Sequence, residues 1–212
     1  MLRSVGLAIL FTLPTTVLAV LVRAGWEPLL GADGAAVDAA TAFSRAHPDL
    51  VRALLVWEEL FQPRWVYLVG TLVCGWVWWR HRWPARAAWG FVTMMIAWNL
   101  ALDAKLVVAR DRPVVADPVS VAPGYSFPSG HAANTATCAT AVVVLLWPAL
   151  TRRGRTWAIA SAVLLTLATA ADRVFLGVHF PTDVLAGMVF GTGLVLASYA
   201  GWRPASATTP RR

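Results

Sequence analysis

Cysteine and charged residues are both scarce in this chain of 212 residues. The 2 cysteines, Cys74 and Cys138, lie inside apolar runs, which excludes a disulfide framework and a cysteine-based zinc site. Charged residues make up 14% of the chain, whereas soluble domains carry about 25%. Because 58% of the residues are apolar, the chain has neither the polar surface of a soluble protein nor the low hydrophobicity of a disordered one. The composition predicts an integral membrane protein.

Lysine is nearly absent, since Lys105 is the single lysine among 18 basic residues. The arginines punctuate apolar stretches and do not cluster among polar residues. The net charge of +7 therefore gives no indication of nucleic-acid binding.

Six apolar runs of about 15 to 20 residues predict membrane-spanning helices. They are Val5–Val22, Trp65–Trp79, Ala87–Leu102, Ala132–Trp147, Trp157–Ala171 and Val184–Trp202. The predicted fold is all-α, an integral membrane bundle of six transmembrane helices within residues 1–202, followed by a disordered cytoplasmic tail at residues 203–212. A cleaved signal peptide, with a poor small-residue site at Val17–Ala19, is the alternative for the first run.

Charge predicts the orientation of these six spans. One side of the alternating bundle carries ten basic and no acidic residues, and the other carries eight basic residues and all eleven acids. By the positive-inside rule the arginine-only side is cytoplasmic. We therefore expect a multi-pass protein of the cell membrane.

Two long segments lie on the predicted outer side. Residues 24–64 begin with small residues and a turn-like cluster at Gly31–Gly34, and then carry an apolar stretch, Leu50–Phe61, that predicts an interfacial amphipathic helix. The second segment, Lys105–His131, is rich in proline. Both are expected to cover the outer ends of the spans.

The first candidate functional motif precedes the fourth span. Ser129 is a natural N-cap, and Gly130 allows a ligand to approach the backbone. Free amides and the positive end of the helix dipole make such a helix start an anion site. His131 follows directly and is placed to give a proton to a bound group.

A second motif joins His179 to Asp183, with Pro181 suited to the first turn of the sixth span. A hydrogen bond between this carboxylate and imidazole would raise the basicity of the far ring nitrogen, which suits a nucleophile. The alternative is a His–Asp pair that only caps the helix. A third segment holds Lys105 and Arg112, two cations able to converge on one polyanion, although their spacing alone is nearly uninformative.

Together, the three segments resemble the signature of the type 2 phosphatidic acid phosphatase superfamily. They are Lys105-x6-Arg112-Pro113, Pro128-Ser129-Gly130-His131 and Arg173-x5-His179-x3-Asp183. One residue departs from the family pattern, because Asp172 stands where serine usually precedes the arginine that corresponds to Arg173. A carboxylate there would repel phosphate unless it points away or pairs with Arg173 or another cation.

The resemblance implies a role for each residue of the signature. His179 would attack phosphorus and form a phospho-histidine, Asp183 would orient it, and His131 would protonate the leaving oxygen. The residues expected to bind the phosphoryl oxygens are Lys105, Arg112, Ser129, Gly130 and Arg173. These donors replace a metal ion, so neither a metal nor another cofactor is expected.

The expected reaction is hydrolysis of a phosphorylated membrane lipid at the outer ends of the spans. Polyprenyl diphosphate, such as undecaprenyl diphosphate, is the first choice, with phosphatidylglycerol phosphate and phosphatidate as others. A lipid phosphotransferase with the same intermediate and a non-catalytic lipid-headgroup-binding membrane protein are the alternatives. The lipid bilayer is the expected partner, with no nucleic acid, and the sequence does not indicate the oligomeric state.

Overall fold

A computed structural model describes residues 2–115 and 118–202, and within these ranges the chain forms α-helices, one short 3₁₀ turn and no strand. The helices are α1 (Leu2–Arg23), α2 (Glu27–Ala46), α3 (Pro48–Leu60), α4 (Pro63–His81), α5 (Pro84–Val108), α6 (Gly130–Leu146), α7 (Arg152–Phe175) and α8 (Pro181–Gly201). The all-α prediction is therefore confirmed for the described residues. The tail predicted at residues 203–212 lies outside them.

Among the described residues, five helical stretches are long and apolar enough to cross a membrane. They are Ser4–Arg23, Pro84–Val108, Gly130–Ala149, Arg152–Phe175 and Pro181–Gly201. The remaining predicted span corresponds to α4, a helix of 19 residues whose mean hydropathy is lowered by Arg64, Arg80 and several tryptophans. The part of the chain that the structure describes is thus helical with five candidate spans, and the sixth span stays a prediction.

The segment before α3 differs from the sequence prediction. The cluster Gly31–Gly34 was expected to form a turn, but it lies inside α2. Pro28 in the first turn starts this helix, and the many alanines that follow favour helix strongly enough to offset two glycines. The helix predicted at Leu50–Phe61 is confirmed as α3, which begins two residues earlier, at Pro48.

Helix α6 occupies the centre of the bundle and packs against α4, α5, α7 and α8. Its closest neighbour is α8, because two glycines of α8 remove the side chains that would separate the helices. A Cβ atom on Gly187 would lie 2.7 Å from the carbonyl oxygen of Ser129, and one on Gly191 would lie 2.4 Å from that of Ala133. Small residues allow this backbone-to-backbone contact, as is common between membrane helices.

Large apolar side chains cover the outward faces of α4, α5 and α7. Leu72, Leu106 and Leu164 are each more than 60% exposed. A soluble protein rarely exposes so much apolar surface, whereas lipid tails cover it in a membrane. The polar and charged residues that are buried lie mainly where α5 and α7 end and α6 and α8 begin.

Candidate active site

His179 and Asp183 meet at the junction of α7 and α8. His179 lies in the connecting loop and Asp183 in the first turn of α8, and both are buried. The Asp183 Oδ2 atom accepts the backbone N–H of Phe180 at 2.9 Å, which fixes the carboxylate. The His179 Nδ1 atom lies 3.4 Å from the same oxygen, longer than the 2.7–3.2 Å of a typical hydrogen bond. The predicted pair is therefore aligned but not tightly bonded.

The other oxygen of Asp183 belongs to a buried ionic network. Arg110 donates from Nη1 to Asp183 Oδ1 at 2.7 Å and from Nη2 to Asp33 Oδ2 at 2.7 Å. Asp33, on α2, also accepts the backbone N–H of Thr182 at 3.1 Å and the hydroxyl of Thr182. Arg110 therefore turns inward between two buried carboxylates.

Sequence reasoning missed Asp33 because nothing near it in the sequence signals a site. Its partners lie 77 and 149 residues away, so the network becomes visible only in the fold. The left-handed residue Ala109, with φ of +50°, ends α5 and redirects the chain just before Arg110. The network thereby ties α2 to the start of α8, beneath His179.

The two cations Lys105 and Arg112 are held by backbone carbonyls. Lys105 donates to the carbonyl oxygen of Tyr125 at 2.8 Å, and Arg112 donates to those of Gly124 at 2.8 Å and Val178 at 2.7 Å. Arg112 also places Nη1 3.2 Å from the Nε2 atom of His179. The segments expected to converge therefore do meet at this imidazole.

The start of α6 lies against the same cluster. Ser129 is the N-cap residue, and its backbone N–H donates to the carbonyl oxygen of Asp183 at 2.9 Å. A Cβ atom on Gly130 would lie 3.7 Å from Lys105 Cε. Among the described residues, the Ser129 hydroxyl and the Nε2 atom of His131 are buried without a hydrogen-bond partner. Buried polar atoms are seldom left unpaired, and a binding site is one reason for it.

Arg173, the remaining candidate, binds carboxylates in this structure. Its Nε atom donates to Asp172 Oδ2 at 2.7 Å, and its Nη1 atom donates to Glu58 Oε1 on α3 at 2.7 Å. Asp172 therefore pairs with Arg173, which is one of the two arrangements that the sequence left open. Glu58 was not predicted as part of the site. Its oxygen occupies a donor of Arg173, a residue that the sequence resemblance assigned to phosphate binding.

A cavity of about 200 Å³ connects five of the eight candidates. Its lining residues are Pro63, Trp98, Ala101, Leu102, Lys105, Arg112, Gly130, His131, Asn134 and His179. The other three candidates, Ser129, Arg173 and Asp183, are not among its lining residues. A larger cavity of about 600 Å³ lies among α6, α7 and α8, but its lining is mostly apolar and includes no candidate residue.

Asn134 also lines the cavity and was not singled out in the sequence. It lies three residues after His131 on α6, and residues three apart share one face of a helix. This spacing is the signal that could have found it.

Burial determines the protonation state of His179, which lies in the loop between α7 and α8. It lowers the pKa of His179 to about 4, an effect that Asp183 opposes and that Arg112 and Lys105 reinforce. The imidazole is therefore neutral at pH 7, with a lone pair available on one nitrogen. Within residues 2–115 and 118–202 no three His, Cys, Asp or Glu side chains form a group that could hold a metal ion.

The fold and the cavity together define a helical membrane protein with two histidines and two cations around one pocket. A comparison with protein-family models matches the PAP2 superfamily over residues 87–206, more than half of the chain and all eight candidates. The chain belongs to the PAP2 superfamily, the type 2 phosphatidic acid phosphatases that the three motifs resemble.

Named relatives and a solved structure agree with this assignment. The chain is 34% identical over 128 residues to the decaprenylphosphoryl-5-phosphoribose phosphatase of Mycobacterium tuberculosis, which covers 58% of this chain and 64% of that protein. It is 34% identical over 88 residues to phosphatidylglycerophosphatase B of Escherichia coli, covering 41% and 33% of the two chains. The crystal structure of a transmembrane PAP2-type phosphatidylglycerolphosphate phosphatase from Bacillus subtilis aligns with 95% of this chain and 96% of that chain, with a TM-score of 0.80 and 22% identity. That last likeness shows the fold.

Proposed function

We propose that this protein hydrolyses the phosphate of a membrane lipid through a phospho-histidine. The observation that carries the proposal is the meeting of His179 and His131 on one cavity with Lys105 and Arg112. Membership of the PAP2 superfamily and the named phosphatase relatives support it.

His179 is the proposed nucleophile. Its Nδ1 atom faces Asp183, so the Nδ1–H tautomer leaves the lone pair on Nε2, the atom nearest Arg112. As Nε2 bonds to phosphorus, the bond from phosphorus to the lipid oxygen breaks, and His131 gives that oxygen a proton. The product lipid leaves, and the phosphoryl group stays on His179.

Water completes the reaction. His131, which has given up a proton in the first step, accepts one from a water molecule whose oxygen attacks phosphorus, and the bond from phosphorus to Nε2 breaks. Inorganic phosphate and free His179 are released. Lys105, Arg112 and the backbone N–H of Gly130 stabilise the phosphoryl oxygens in both steps, so the proposal assigns to these groups the positive charge that a metal ion supplies in other phosphatases.

The proposal also places the protein in the membrane. We take α4 as the sixth span, because its 19 residues extend about 28 Å, close to the thickness of the hydrocarbon core. The charge asymmetry then puts the cavity at the outer face of the cell membrane, where a lipid headgroup arrives by lateral diffusion.

Candidate substrates share a phosphate joined to a lipid. Polyprenyl diphosphate, phosphatidylglycerol phosphate and phosphatidate are the three to compare, together with a phosphoribosyl polyprenyl lipid. The names of the relatives support two of these classes, the phosphoribosyl and the glycerophosphate lipids.

Phosphate release from this panel by the purified protein in detergent tests the proposal. The wild type should release phosphate with chelator present, and His179→Ala should release none. His47→Ala is the matched control, because this exposed histidine lies outside the cavity. Turnover by His179→Ala would contradict the mechanism. Phosphoryl transfer to an added lipid alcohol would favour the transferase alternative, and binding without turnover would favour headgroup binding.

A further inference from the structure

We propose that Asn134 recognises the leaving group and selects lipids in which a hydroxyl-bearing spacer, such as glycerol or a sugar, joins the scissile phosphate to the rest of the lipid. This inference rests on the proposed phosphatase function and narrows its substrate class. It makes Asn134, which lies outside the three motifs, a residue that determines substrate specificity.

The Asn134 side chain is buried but unsatisfied. The residue is 7% exposed, and its Oδ1 atom has no hydrogen-bond partner among the described residues. Leaving a buried acceptor unpaired costs about 1–3 kcal/mol, so such an atom needs a compensating partner when the protein works. Because Asn134 lines the cavity, a bound ligand can supply that partner.

The cavity is lined by charged and by apolar residues. Lys105, Arg112 and His179 are its charged end, and Trp98 and Leu102 precede Lys105 on α5 by about two turns and one turn of the helix. Asn134 lies three residues into α6 from His131, which is about 4.5 Å along the helix axis and away from the phosphate end. A phosphate held by the charged end therefore places its leaving group beside this amide.

The chemistry of the amide oxygen defines the spacer. Oδ1 only accepts hydrogen bonds, so its partner must be a donor. The ionised oxygens of a diphosphate or a phosphodiester offer no donor at pH 7, and neither do the esters of a diacylglycerol. A free hydroxyl on the carbon skeleton next to the scissile phosphate offers such a donor. The cavity of about 200 Å³ suits a headgroup, since sites for drug-sized ligands are roughly 300–1,000 Å³.

Helix α6 holds other buried polar atoms without a hydrogen-bond partner, but Asn134 differs from their residues because it lines the cavity. The Oγ1 atoms of Thr135 and Thr137 are likewise buried without a partner, yet neither residue lines the cavity. Thr137 instead lies against α8, where its hydroxyl would be 2.8 Å from a Cβ atom on Gly191.

The test compares Asn134→Leu with wild type on two lipids. Leucine keeps the approximate shape of the side chain and removes its acceptor. For phosphatidylglycerol phosphate, whose spacer carries a hydroxyl, kcat/KM should fall roughly tenfold, as expected for one lost hydrogen bond in a buried site. For phosphatidate, which has no spacer hydroxyl, it should stay within about twofold. Thr135→Val is the matched control and should leave the ratio of the two kcat/KM values unchanged.

The possible outcomes separate this inference from the proposed function. A wild type that releases phosphate from no lipid would overturn both. A wild type that hydrolyses phosphatidate far better than phosphatidylglycerol phosphate would overturn the inference and leave the phosphatase function standing. An equal loss on both substrates in Asn134→Leu would indicate a structural role, and no loss on either would exclude contact with the leaving group.

Discussion

Arg110 and Asp33 form an ion pair at 2.7 Å that is almost completely buried and joins α2 to the segment between α5 and α6. The same guanidinium binds Asp183, so the two carboxylates share one cation. Buried charges are costly unless paired, and this sharing keeps both acids compensated. Asp33 on α2 thereby helps to hold the Asp183 carboxylate beside His179, although the sequence predicted a turn at this part of α2.

The first prediction concerns this network. Asp33→Asn removes one charge while keeping hydrogen-bonding capacity, so Arg110 binds Asp183 without competition and the carboxylate shifts relative to His179. We expect kcat to fall about tenfold with KM little changed, because the lost orientation acts in the transition state. Phosphate-release kinetics would measure this. Asp38→Asn, on the exposed face of α2, is the control and should leave kcat unchanged. A change in KM alone in Asp33→Asn would argue against a role of Asp33 in positioning Asp183.

The second prediction concerns protonation of His179, whose pKa burial lowers to about 4 from the ordinary 6.5. The unfolded chain therefore binds a proton between pH 6.5 and 4 that the folded chain does not, so this residue makes stability fall as pH drops through that window. In NMR spectra of the imidazoles, assigned with His179→Asn, this ring should stay neutral to about pH 4. A midpoint near 6.5 would contradict the burial argument.

The third prediction concerns Glu58, whose carboxylate occupies an Arg173 donor at 2.7 Å. If phosphate binds Arg173, it must compete with this carboxylate, and Glu58→Gln weakens the competitor. We expect KM for a lipid phosphate to fall severalfold with kcat nearly unchanged. Glu59→Gln is the matched control, because the neighbouring carboxylate binds Gln62 at 2.9 Å and belongs to no part of the cavity. A higher KM in Glu58→Gln would instead mean that Glu58 holds Arg173 in place.

The fourth prediction concerns the contact between α6 and α8. Gly191→Ala would bring a methyl group to 2.4 Å from the carbonyl oxygen of Ala133, so the helices must separate. Overpacking of this kind costs about 1–3 kcal/mol or more. The thermal midpoint in detergent should fall clearly, and activity should fall with it. Gly75→Ala on α4, where a Cβ meets nothing within 4 Å, should leave both unchanged.

Sequence alone predicted the helical class and the clustering of the three motifs, because both depend on local patterns. Apolar runs indicate membrane helices directly, and the spacing from His179 to Asp183 places the imidazole just before α8 and the carboxylate in its first turn. The membrane orientation and the chemical roles of these residues stay predictions.

Long-range partners were beyond sequence reasoning. Asp33 lies 149 residues from Thr182, and Glu58 lies 115 residues from Arg173. Asp33 sits between two glycines that are typical of a turn, so helix α2 was missed with it. A carboxylate in a small-residue segment shows its role only when the fold brings a buried guanidinium to it.

The glycine seam of α8 limits how this scaffold can be altered. The backbones of α6 and α8 touch at Gly187 and Gly191, so the helix that begins beside His131 and the helix that follows His179 pack directly against each other. Smaller side chains at Trp98 and Leu102 would therefore be the way to enlarge the cavity for bulkier headgroups, because both residues line it and take no part in the contact between α6 and α8.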